Sequence, residues 1–85
     1  MTNQSVLFLI DYITTRARIA AKGDPVAEKN IVAEIVKTLK PGGYRSDNPV
    51  VKDAKATVDA YLFSDITARD QLDDYLTEIY GLLPD

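Results

Sequence analysis

Two sharp helix breaks, Gly23-Asp24-Pro25 and Pro41-Gly42-Gly43, and a subtler one between Ser64 and Thr67, divide this chain of 85 residues into four stretches. The breaks carry the punctuation of helix ends and helix starts. Gly just past a helix takes the left-handed backbone that ends it. Asp or Asn followed by Pro opens the next, because Pro lacks an N–H that a first turn leaves unpaired anyway. Within the stretches, apolar residues recur at i, i+3 and i+4, and no run of five or more alternates apolar with polar. β-branched residues are plentiful, a mild argument for strands, yet the period is helical throughout. The sequence predicts an all-α fold: one four-helix, bundle-like domain over 1–85, with helices at 4–22, 25–40, 49–63 and 67–80. Two short connections and a longer one at 41–48 predict an antiparallel assembly.

The stripes name the expected core. They are Val6, Leu9, Ile10, Ile13, Ala17 and Ala20 in the first helix, and Ile31, Val32, Ile35, Val36 and Leu39 in the second. Val51, Ala54, Val58, Tyr61 and Leu62 follow in the third, then Leu72, Tyr75, Leu76 and Ile79 in the fourth. Asp24, then Asp47 or Asn48, then Thr67 (with Asp70 three residues on) are the expected N-caps. Lys22 suits the last turn of the first helix, with Gly23 past its end, and Gly81 closes the fourth.

Absences narrow the function. With no Cys and no His, the chain has no disulfide, thiolate nucleophile, zinc or iron–sulfur site, and it lacks the commonest general base and transition-metal ligand. A domain this small buries only about 60% of its unfolded surface, which leaves little room for a pocket that would retune a carboxylate or Lys. The expectation is a protein that is not an enzyme and holds no cofactor and no metal. The opening apolar run, Val6 to Ile10, is interrupted by Asp11. It is too short to span a bilayer and has no signal-peptide flanks. This predicts a cytoplasmic protein without a membrane contact.

Three surfaces are candidates for binding another protein. Helix 1 carries a second apolar side, Phe8, Tyr12 and Ile19, opposite its main stripe. That side is covered if helix 1 is central, and otherwise it meets a partner or a second copy in a homodimer. Arg16 falls between Tyr12 and the main stripe. It either lays its stem on apolar surface or anchors an interface by stacking on Tyr12 or pairing with a partner's carboxylate. Tyr44 and Arg45 sit in the long 41–48 loop, either as part of a plain connector or as a recognition element. Asp70, Asp73, Asp74 and Glu78 form a polar face of helix 4 that is either simply solvated or meets a basic partner.

Charge is uneven along the chain. Nine Lys/Arg oppose six Asp/Glu through residue 55, whereas Arg69 alone faces seven acids from residue 56 onward, giving a net charge of −3. The function this supports is a small protein–protein interaction module acting as a regulator, inhibitor or assembly accessory. The alternative is a DNA-binding regulator using the basic residues of helices 2 and 3. The net negative charge weighs against nucleic acid, as does a connection longer than a helix-turn-helix allows.

Overall fold

The computed structural model describes residues 3–82. They form α1 (Gln4–Ala20), α2 (Pro25–Leu39), α3 (Pro49–Tyr61) and α4 (Ile66–Tyr80), with no strand among the described residues. The fold is the expected all-α one, and each helix starts within one residue of its expected position.

Local hydrogen bonding explains the starts. The Asp24 carboxylate accepts from the N–H groups of Val26 at 2.9 Å and Ala27 at 3.4 Å, with Pro25 as the first helical residue. Asn48, and not Asp47, caps α3, its side-chain oxygen accepting from the Val50 N–H at 2.9 Å. At α4 the expectation of Thr67 fails. Asp65 is the cap, accepting from the Ala68 N–H at 2.9 Å, and Thr67 already lies inside the helix. A carboxylate there also faces the positive end of the helix dipole.

Three of the ends come early. α1 stops at Ala20 because Lys22 itself is left-handed, with φ 53°, followed by Gly23 at φ 83°. Lys22 therefore lies beyond the helix. Pro41 disfavours helical backbone at the residue before it, and Lys40 is extended accordingly. α3 stops at Tyr61, ahead of Leu62 as cap and a left-handed Ser64. α4 ends as expected at Gly81, with φ 62°.

α1 packs against all three other helices, as does α2, while α3 and α4 scarcely meet. α3 and α4 thus flank the central α1–α2 pair. The radius of gyration is 11.8 Å, close to the roughly 12 Å expected of a compact chain this long. Direction is read from the contacts. Phe8 meets Tyr61, Arg16 meets Asp53, and Arg16, Ile19 and Ala20 share a hollow with Pro49 and Val50, so α3 runs antiparallel to α1. Tyr44 lies beside Lys37, and the hollow they share extends down α2 to Ala27 and Asn48, so the 41–48 segment runs back along α2. Asn48, the cap of α3, shares that hollow with Ala27 in the first turn of α2, so the segment reaches back over most of the length of α2. α2 and α3 therefore run in the same sense, and the expected antiparallel order holds for α1 with α2 and for α3 with α4 but not between α2 and α3.

The core is built from the predicted stripes. Val6, Leu9, Ile13, Ala17, Val32, Ile35, Val51, Ala54, Val58, Leu62, Leu72 and Leu76 are all but fully buried, with Val36 and Leu39 at the edge. Ile10, Ile31 and Tyr75 are partly buried against them. Three expected core residues stand outside. Ala20 is exposed and Ala21 is buried in its stead. Tyr61 is exposed, while Leu62, expected beside it, is buried just past the end of α3. Ile79 is exposed while Tyr80 and Leu82 pack on the core. Ala68, absent from the predicted stripe, is buried at the start of α4. Thr38, buried near the end of α2, satisfies its hydroxyl by donating to the Ile35 carbonyl at 2.7 Å.

Candidate functional site

Between α1 and α3 lies a row of aromatic and charged side chains. Phe8 stacks on Tyr12 with ring centroids 6.2 Å apart and meets Tyr61 at 5.0 Å. The Tyr12 hydroxyl donates to the Asp53 carboxylate, and the Arg16 guanidinium donates to the same oxygen at 2.7 Å while lying 5.2 Å from the Tyr12 ring centre. Thr57 donates to the Asp53 backbone carbonyl at 2.9 Å. The hydrogen bonds from Arg16 and Tyr12 hold the Asp53 carboxyl below its ordinary range. Arg16 stacks on Tyr12, one of the two arrangements its position allowed, and the carboxylate it meets is the chain's own Asp53. Tyr12 and Arg16 clamp α1 to α3, and the exposed Ile19 lies beyond Arg16, beside Pro49 and Val50.

What the clamp leaves uncovered lies at one end. Because α3 is antiparallel to α1, the first turns of α1 share an end with the turn from α3 into α4. There Phe8 is 47% exposed, Tyr61 55%, Phe63 81% and Ile66 74%. Tyr61 belongs to a predicted core stripe, whereas Phe63 and Ile66 belong to none. Their signal was nonetheless present. Both residues flank the Ser64-Asp65 turn and lie outside the predicted stripes of the third and fourth helices.

A second feature is the groove between the returning 41–48 segment and α3, about 570 Å3 in volume. Tyr44 and Arg45 both line it, together with Lys52 and Lys55. Tyr44 is outside the core, its ring 5.9 Å from the Lys37 ammonium. Gly42 and Gly43, with φ 123° and 80°, make the reversal at the start of the segment. Ser46 fastens it, donating to Glu34 at 3.4 Å and accepting from the Asn48 N–H at 3.2 Å.

The acidic face of α4 divides. Asp73 turns inward, its side chain 15% exposed, and pairs with Lys40 at 2.8 Å. Asp70, Asp74 and Glu78 remain exposed and take no ion pair among the described residues. The described residues hold no cluster of three carboxylates placed to share a cation. Asp59 of α3 bridges to α4, accepting from Arg69 at 2.7 Å and from Lys55 at 3.0 Å. Burial raises the Asp59 carboxyl, and those two partners outweigh burial to hold it low. At the opposite end Arg18 meets Glu28 at 3.4 Å, and burial, then a hydrogen bond to Glu28, pushes the Tyr80 hydroxyl up to about 12.

Among the described residues, no helix is long and apolar enough to cross a membrane. In comparison with known proteins, no family model matches the chain, and neither a curated protein nor a solved structure does.

Proposed function

We propose that this protein is a small non-enzymatic protein-binding module of the cytoplasm, a regulator, inhibitor or assembly accessory, whose contact surface is the end carrying Phe8, Tyr61, Phe63 and Ile66. The observation that supports it is the exposure of Phe63 and Ile66 on either side of one tight turn, next to the half-exposed Phe8–Tyr61 pair. Large exposed apolar side chains gathered at one place favour association, and aromatic residues dominate binding energy where they are anchored. Tyr12 and Arg16, now engaged with Asp53, frame this surface and do not form its centre.

The test is solution mass by light scattering at two protein concentrations, for the wild type and for Phe63→Asp and Ile66→Asp. A wild-type mass near twice 9.4 kDa that both variants return to the monomer identifies self-association through this end. A monomeric wild type moves the test to affinity capture. A captured protein lost with Phe63→Asp and kept with an exposed-face control, Lys29→Glu, supports the reading. Capture and mass that ignore both variants overturn it.

The alternative, a DNA-binding regulator, draws on exposed Arg45 and Lys52. It meets acidic Asp47 and Asp53 on the same stretch, and the crossover places α2 and α3 side by side, where a helix-turn-helix needs a tight turn.

A further inference from the structure

The groove beside the 41–48 segment differs from the apolar end in both its floor and its rim. Val51 is buried beneath it, and the Thr38 hydroxyl is already given to a carbonyl, so the floor offers no free polar group from either. One wall is the Tyr44 ring. The rim carries Arg45, Lys52 and Lys55 against the single acid Asp47. Lys55 shares Asp59, while Arg45 and Lys52 take no ion pair among the described residues. In a chain of net charge −3, this is a local excess of positive charge. The volume of about 570 Å3 falls within the range of ligand clefts, roughly 300–1,000 Å3.

The main chain adds a second observation. Residues 44–47 are neither helix nor turn, and among the described residues they take part in no backbone–backbone hydrogen bond. A segment whose amides and carbonyls take no main-chain partner can offer them to another chain, as an unpaired strand edge does. A small anion would use the cations alone and leave the apolar floor and this backbone unused. A phosphate backbone carries no apolar side chain to lie against Tyr44 and Val51, whereas a peptide does.

We propose that the groove binds an extended acidic peptide segment of a protein partner. Its carboxylates lie on Arg45, Lys52 and Lys55, an apolar side chain lies against Tyr44 and Val51, and its main chain pairs with residues 44–47. The proposal rests on the protein-binding reading only in taking a polypeptide as occupant, since it uses a different face.

The experiment is fluorescence anisotropy with a labelled peptide, Asp-Glu-Asp-Phe-Leu-Asp-Glu-Asp, beside an Asn/Gln version of it and a labelled DNA duplex. The acidic peptide binds the wild type, weakens with added salt, and loses about tenfold or more in affinity with Arg45→Glu or Lys52→Glu, as expected when a charged contact is reversed. Phe63→Asp leaves it unchanged, so the groove and the apolar end succeed or fail separately. Circular dichroism confirms that the variants are folded. Four outcomes overturn the proposal. They are no binding of the acidic peptide, equal binding of the Asn/Gln version, indifference to both groove variants, and a duplex that alone shows the Arg45 and Lys52 dependence. A salt-sensitive rise in solution mass that Lys52→Glu abolishes, without peptide binding, would give the groove to the acidic α4 of a second copy and also overturn it.

Discussion

The Asp53 carboxylate accepts from two side chains of α1, Tyr12 and Arg16, and so ties two helices through one oxygen. All three groups are at the surface, where exposed ion pairs contribute little on average, but the shared acceptor and the stacked ring give this one fixed geometry. Its effect on stability has a sign. The folded carboxyl titrates below its ordinary 3.8, so the unfolded chain binds the proton more readily. The contribution is fully present above the unfolded value and is lost as pH falls toward and through the folded one. Arg16 stays charged throughout. Urea unfolding of the wild type and Asp53→Asn therefore shows the wild type more stable at about pH 7, with the gap narrowing as pH falls below about 4. A gap that is constant with pH would mean that the carboxylate's charge is not what holds α1 to α3. Arg16 and Tyr12 were recognisable in the sequence as an out-of-stripe pair. Asp53 as their partner was not, because nothing local joins residues 37 and 41 positions apart.

Helix starts depend on a single side-chain oxygen reaching a free N–H, and they can be tested one by one. Asp65→Ala removes the bond to the Ala68 N–H and costs about 1 kcal/mol, whereas Thr67→Ala stays within about 0.5 kcal/mol. Chemical denaturation of the two variants distinguishes them, and the reverse order would restore Thr67 as the cap. The sequence offers both residues as good caps, and the left-handed turn at Ser64, with Ala68 carried into the core, selects the earlier one. Asp24-Pro25 and Asn48-Pro49 left less choice, since Pro is tolerated at the first helical position and breaks the interior. The 41–48 connection was legible as a break but not in its course. Pro41 and the two glycines stop α2. Only packing of the segment against α2, through Tyr44 on Lys37 and Ser46 on Glu34, sends the chain back along that helix.

For the molecule as a whole, stability rests on a small core, and a chain of this length has about 4–13 kcal/mol in all. Leu9 is fully buried on α1, which like α2 touches every other helix. Leu9→Ala costs about 3 kcal/mol and lowers Tm by roughly 10–25 °C. Phe63→Ala, at an exposed position, shifts stability by no more than about 0.5 kcal/mol. A thermal melt of the pair separates a core residue from a surface apolar one. If Phe63→Ala fell as far as Leu9→Ala, the exposed end would be structural and its assignment as a contact surface would fail. Charge shows the same division on a larger footing. The acidic C-terminal third was countable in the chain, yet Asp73 and Asp59 are taken up by Lys40, Lys55 and Arg69, leaving Asp70, Asp74 and Glu78 outside. The sequence alone settled the four helices, their approximate bounds and most of their inward stripes. Those follow from the helical period and from hydrogen bonds within a few residues of each break. Packing settled which apolar residues were left over, Tyr61, Phe63 and Ile66 at one end, and how the 41–48 segment closes a groove lined with Arg45 and Lys52. Both depend on distances between residues far apart in the chain, and these exist only once the helices have met.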